Sequence, residues 1–212
     1  MSLKLNIFDG FPNRADTWTD SFDWSGVNFA SAKAGTAITP DIVVSAAHFG
    51  TLPSPLEFVT AEGQIISRSV IGQVDVGNDI LVSRLNEPLP ENVKIYQLPD
   101  PNVSYSDLVG GLAIYTNRGY TAQAGAIAPS GNLANLDFDP TIPTALWDEL
   151  ESGDSGSPSF IIGSNNEEVL FSTWWFNNES GPYYGDLDNQ IAITDAIDQL
   201  GSTTSFTINS LI

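Results

Sequence analysis

The chain has one histidine, His48, which ends the run Ile42-Val43-Val44-Ser45-Ala46-Ala47-His48. Far downstream one serine is framed as Gly153-Asp154-Ser155-Gly156-Ser157-Pro158. Between the two, an aspartate opens an apolar run, Asn78-Asp79-Ile80-Leu81-Val82. A serine hydroxyl is a poor nucleophile until a neighbouring imidazole takes its proton, and the imidazole needs a carboxylate to fix its tautomer. His48, Asp79 and Ser155 supply those three groups, in one of several chain orders that build the same geometry. With a single imidazole present, there is only one possible histidine base.

The glycine before the serine motif has its own role. A tight turn there can aim the backbone N–H groups of Gly153 and Ser155 at one point, where they would stabilise the oxyanion of a tetrahedral intermediate. Gly153 removes the Cβ that would obstruct such a turn. Each motif is ordinary in isolation. The three together, in this order, point to acyl transfer with Ser155 as nucleophile, His48 as base then acid, and Asp79 as the orienting carboxylate.

These groups must be held by strands. Short apolar runs punctuated by Gly, Pro, Asn and Asp recur along the chain, and helical periodicity is scarce. Ala34–Asp41 reads as a strand and turn, and Ile42–Val44 as a β-branched strand whose small successors let the chain bend into His48. Further strands are expected at 56–60, 64–70, 80–85, 112–115, 120–127, 159–162 and 169–175. The Pro-rich stretch Leu98-Pro99-Asp100-Pro101-Asn102 reads as a linker, dividing a 1–100 half carrying His48 and Asp79 from a 101–212 half carrying Ser155. The best helical candidate is 193–200, with Thr194 or Asp195 as cap and Gly201 as stop. The tail Ser202–Ile212 alternates like a strand.

Composition excludes several classes. Seven basic against 26 acidic side chains give a net charge of −19. Such a surface repels nucleic acid and anionic membranes, so neither is expected as a partner. There is no cysteine, hence no disulfide, and no apolar stretch approaches the length of a membrane span. Met1-Ser2-Leu3-Lys4-Leu5-Asn6 lacks the apolar core of a signal peptide. The chain is either intracellular or has lost a leader, and a secreted or periplasmic monomer is the expectation. Asp186-Leu187-Asp188-Asn189 and Asp137-Phe138-Asp139 lack the spacing of a calcium loop, so no metal is expected. Trp18, Trp24 and Trp147 read as core or cleft-wall residues.

The motifs resemble those of the trypsin/chymotrypsin-like serine peptidases, in a cysteine-free form of bacterial type. Gly35–His48 resembles that family's strand, Thr-Pro turn and Ala-Ala-His segment, Asp79-Ile80 its aspartate motif, and Gly153–Pro158 its nucleophile loop. Tyr115–Gly119 resembles a strand end early in its second barrel, and Val169–Trp174 the strand lining its substrate cleft. The resemblance implies an all-β fold of two six-stranded antiparallel barrels, with the site in the crevice between them, a late helix and a C-terminal extension. It implies a serine endopeptidase acting on protein or peptide, without a cofactor.

Specificity is read through the same resemblance. Glu149, six residues before Ser155, falls where trypsin-like enzymes place an acidic pocket floor. Asp188 falls near the opposite wall, and Thr173, Trp174 and Trp175 line the cleft. Either carboxylate would favour a basic residue before the scissile bond. Trp175 would instead narrow the pocket if its ring caps it. An acidic preference is not expected, because the sequence shows no basic group near the cleft beyond His48. No Arg/Lys-Ile-Val-Gly-Gly-like activation site is visible near the N-terminus, so Asp154 needs a partner other than a freed amine. Two rivals stand beside the peptidase reading: a catalytically silent binding module on the same fold, and a processing protease dedicated to one partner.

Overall fold

The computed structural model describes residues 6–15, 21–29, 33–130, 133–147, 149–163, 166–175 and 180–211. Trp18 lies outside these residues. The fold is mostly β. In the first half, β1 (Thr36–Thr39), β2 (Ile42–Ala46), β5 (Val70–Asp75) and β6 (Ile80–Leu85) form a four-stranded sheet ordered β1-β2-β6-β5. The hairpin of β3 (Leu56–Val59) and β4 (Ile65–Arg68) stands as a separate two-stranded sheet. Among the described residues, β1–β6 therefore split into two sheets instead of closing one six-stranded barrel.

The second half carries six antiparallel strands in one sheet. Its members are β8 (Leu112–Thr116), β9 (Ala122–Ile127), β10 (Leu133–Asp137), β11 (Pro158–Ile162), β12 (Glu168–Thr173) and β13 (Ser180–Pro182), ordered β12-β11-β8-β9-β10-β13. A four-residue helix α1 (Tyr105–Leu108) precedes β8. Between the halves, β7 (Leu98–Pro99) pairs in parallel with β14 (Ile208–Asn209). The expected linker is thus partly a strand, clamped by the returning C-terminal segment.

Side-chain alternation explains how the site is held. Ile42 and Val44 of β2 point into a core that also takes Phe160, Leu170, Ile193 and Ile197 from the second half. Val43 points the other way, into a core under the β3–β4 hairpin with Leu56 and Phe58. β6 follows the same rule, sending Ile80 and Val82 to the shared core and Leu81 and Leu85 to the other. In the second half, Phe160 and Leu170 face the shared core, whereas Ile161, Val169 and Phe171 fill a third. Each half thus encloses its own core and the shared core welds them, because strands buried on both faces use both sides of a period of two. Full burial of each such side chain stabilises the fold by about 1.5–3 kcal/mol.

The helix differs from the sequence expectation. α2 spans Leu187–Gln199, six residues earlier than expected, and is capped by Asp186, whose side chain accepts from the N–H groups of Asp188 and Asn189. The early start follows from that cap, which satisfies two of the orphan donors of a helix terminus. The core-facing residues Asn189, Gln190, Ile193, Ala196 and Ile197 include two polar ones, which hid the first turn from a hydrophobic reading.

Candidate active site

Asp79 organises the histidine turn. Its carbonyl accepts from Ala47 N–H at 3.0 Å, Oδ1 accepts from His48 N–H at 2.7 Å, and Oδ2 lies 2.8 Å from His48 Nδ1. Three hydrogen bonds to one residue fix both the backbone and the ring of the short 3-10 turn Ala47–Phe49. The Asp79 side chain is 8% exposed and that of His48 35%, so the carboxylate is buried behind an accessible imidazole. With Nδ1 engaged by the carboxylate, the tautomer assigned is Nδ1–H, which leaves Nε2 as the basic nitrogen. Among the described residues Nε2 carries no hydrogen bond, and in unliganded sites such contacts commonly tighten only when substrate binds.

Asn78 and Asp79 both hold left-handed backbone, with φ of 49° and 60°. Such conformations cost energy in non-glycine residues and persist where neighbours over-determine them. Two supports act here. Asn78 Nδ2 donates to Asn189 Oδ1 of α2 at 2.8 Å, and Asn189 Nδ2 donates to the Tyr183 carbonyl at 2.9 Å. Close by, the hydroxyls of Tyr184 and Thr173 are hydrogen bonded at 2.9 Å. Burial pushes the Tyr184 phenol up from its ordinary value, the Thr173 hydrogen bond opposes this, and the Asp79 charge adds to the rise.

The nucleophile loop meets the histidine segment through a glycine. Gly156, at φ +77°, is packed so that a Cβ would stand 2.8 Å from a Phe49 ring carbon and 2.9 Å from Ser45 Oγ. Both the conformation and the close approach require glycine. The neighbouring Ser155 is buried, on the loop that Gly156 seats against the His48 segment. The loop is further tied to the residue that follows β12, since Gly156 N–H donates to the Trp174 carbonyl and Trp174 N–H to that of Ser157.

The partner of Asp154 is now visible. Its buried carboxylate accepts from Arg118 N–H at 3.0 Å through Oδ1 and from Glu151 N–H at 2.8 Å through Oδ2. One main-chain donor from the Arg118 loop and one from its own turn therefore occupy the group. Along the turn, the N–H groups of Asp154, Gly156 and Ser157 all donate. Those of Gly153 and Ser155 make no hydrogen bond among the described residues. Gly153 takes φ +106°, which suits glycine alone.

The residues expected to set specificity differ in burial. Thr173 and Trp174 are buried, and Trp174 packs edge-on against Tyr115 at 5.7 Å. Trp175 is 40% exposed. Glu149 and Asp188 are both exposed. Glu149 lies on the loop after the turn Thr144–Leu146, and Asp188 in the exposed first turn of α2. The desolvation that would make Glu149 a buried, unpaired acceptor for a basic side chain is thus missing. Trp24 is a core residue and half-buried Trp147 packs on Tyr115 and over Gly125.

Sequence reasoning missed Arg118. A Cβ on Gly153 would meet its Nη1 at 2.5 Å and its Cζ at 3.3 Å, so a guanidinium does stand beside the loop. The only signal was its place in Tyr115–Gly119. A cavity of about 330 Å³ lined by Ile7, Arg14, Phe22 and Trp24 lies on the first-half side of the shared core, lined by none of the three candidate catalytic residues. Among the described residues no cluster of three or more His, Asp or Glu could hold a metal, and no helix is long and apolar enough to cross a membrane.

No protein-family model and no curated protein matches the sequence. Solved structures do. An inactivated protease paralogue of the scabies mite matches with a TM-score of 0.56 at 16% identity, over 78% of this chain and 87% of that one. The passenger domain of the plasmid-encoded toxin, an autotransporter enterotoxin of enteroaggregative Escherichia coli, matches with a TM-score of 0.59 at 15% identity. That match covers 84% of this chain and 22% of the toxin chain. The fold shared with the protease paralogue is chymotrypsin-like.

Proposed function

We propose that this chain, carrying a chymotrypsin-like protease fold, is a serine endopeptidase that works through an acyl-enzyme on Ser155. The observation that carries the reading is the His48 Nδ1–Asp79 Oδ2 pair at 2.8 Å, made by the one histidine of the chain. Two further features support it: the seating of the Ser155 loop against the His48 segment through Gly156, and the N–H groups of Gly153 and Ser155, which make no hydrogen bond among the described residues.

In this scheme Ser155 Oγ adds to the scissile carbonyl carbon while its proton passes to His48 Nε2. Asp79 holds the ring and stabilises the imidazolium. The carbonyl oxygen, now an oxyanion, is received by the N–H groups of Gly153 and Ser155. The C–N bond then breaks, the proton on Nε2 goes to the leaving amine, and an ester on Ser155 remains. A water molecule, deprotonated by His48, adds to that ester. Its collapse releases the carboxylic acid and returns the proton to Ser155. Thr173–Trp175, which runs beside the loop, would border the bound peptide.

The silent-module alternative draws on the likeness to an inactivated paralogue. What favours hydrolysis is the retained chemistry at His48, Asp79 and Ser155. The test is hydrolysis of a quenched-fluorescent peptide library by the parent chain and by Ser155→Ala. Turnover by the parent that is lost in the variant supports the proposal, and equal turnover by both overturns it.

A further inference from the structure

We infer that Arg118 is a carboxylate-recognition site beside the nucleophile loop, so that the preferred peptides carry a carboxylate within a residue or two of the scissile bond. The inference deepens the peptidase reading by naming its substrate class, and it reverses the sequence expectation that no cation stands near the cleft.

Cations are scarce here, at seven against 26 acidic groups. Of those in the described residues, Arg14, Lys33 and Arg68 donate to main-chain carbonyls. Arg84 pairs with Asp41, and Lys94 with Glu167 and Glu168. Arg118 differs. Its guanidinium makes no hydrogen bond among the described residues, and its nearest carboxylate is Glu151 at 4.0 Å, with both side chains more than half exposed. Exposed pairs at that separation contribute little.

Its position is nevertheless held. The Arg118 main-chain N–H is bonded to Asp154 Oδ1, one residue before Ser155. The side chain lies against Gly153, whose own N–H makes no hydrogen bond among the described residues. A fork of donors with its root fixed and its head free suits bidentate capture of a carboxylate. Successive residues of an extended peptide are only about 3.3 Å apart, so a carboxylate reaching Arg118 belongs near the reacting carbonyl. Two sources have this chemistry: an acidic side chain, or the free C-terminus of a short peptide.

The test uses the Ser155→Ala chain, so binding is read without turnover. Fluorescence anisotropy compares labelled peptides with Glu or Gln at each position, and free-acid with amidated C-termini. One Glu position, or the free acid, should bind at least ten-fold more tightly than its neutral counterpart. Arg118→Gln should bring that ratio to about one, Arg118→Lys should retain part of it, and salt should diminish it. A Glu preference identifies a side-chain carboxylate, and a free-acid preference a chain terminus. Ratios near one in the parent, no binding of any carboxylate peptide, or ratios unchanged in Arg118→Gln would overturn the inference. Carboxylate-selective binding in a chain whose Ser155 form hydrolyses nothing would sink the peptidase reading alone.

Discussion

Asn189 of α2 accepts a hydrogen bond from Asn78 at 2.8 Å, so the second half of the chain grips the residue next to Asp79 in the first. Asn78 and Asp79 both hold left-handed backbone, and this bridge is one reason they can. Asn78→Gly keeps that backbone accessible while deleting the amide. It should lower kcat about ten- to a hundred-fold with KM little changed, the scale expected when a catalytic group shifts by about an ångström. Steady-state kinetics on the folded variant check this. An unchanged kcat would reduce the bridge to a structural tie.

Asp79→Asn addresses the imidazole itself. An amide can present its NH₂ to Nδ1 and stabilise the opposite tautomer, leaving no basic nitrogen toward Ser155. Turnover should fall by about four orders of magnitude while peptide affinity stays near the parent's. A fall of less than ten-fold would show that another group orients His48.

Asp154 closes its own turn through Glu151 and ties that turn to the Arg118 loop. Asp154→Ala strands the N–H groups of Arg118 and Glu151, at a cost of about 1–3 kcal/mol each where they are buried. The variant should unfold at lower denaturant concentration and lose hydrolysis. Asp154→Asn, which retains one acceptor oxygen, should fall between it and the parent. Full activity in Asp154→Ala would remove the clamp from the account.

Asp41 gives a pH-dependent prediction. Burial alone opposes its ionisation, but hydrogen bonds from the hydroxyls of Thr204, Ser202 and Thr39, with the Arg84 charge, outweigh this and hold its carboxyl below the ordinary value. A carboxylate with a depressed folded-state pKa stabilises the fold fully above its unfolded value, near 3.9, and this contribution is lost as pH falls through the folded-state value. Asp41→Asn should therefore be less stable than the parent at neutral pH by about 1–3 kcal/mol. Below about pH 3 the gap should narrow. Urea unfolding across pH measures both, and a pH-independent gap would contradict the assignment.

The chemistry-bearing residues were legible because their types are rare or framed: one histidine, one Gly-Asp-Ser-Gly, one aspartate opening an apolar strand. Strongly apolar strands such as β2 and β6 were legible for the same reason. β5 was missed because Gly72 interrupts it, and a glycine inside a strand pattern weakens the signal. β10 reads Leu-Ala-Asn-Leu-Asp and β13 Ser-Gly-Pro, compositions poor in strand formers, and the two pair with each other across a long separation in sequence. The Asp154 clamp uses main-chain donors, and Arg118 and Asn189 act across long separations. No local pattern encodes such contacts. The exposed setting of Glu149 likewise depends on how its loop packs, which position relative to Ser155 does not reveal.

Fluorophosphonate labelling followed by peptide mapping tests the central claim most directly, because it asks whether Ser155 Oγ is activated without requiring the right substrate. The account predicts one phosphonylated residue, Ser155, with labelling abolished in Ser155→Ala and reduced at least a hundred-fold in His48→Ala, both variants remaining folded. A folded parent chain that takes no label, or a label that persists in Ser155→Ala, would contradict it.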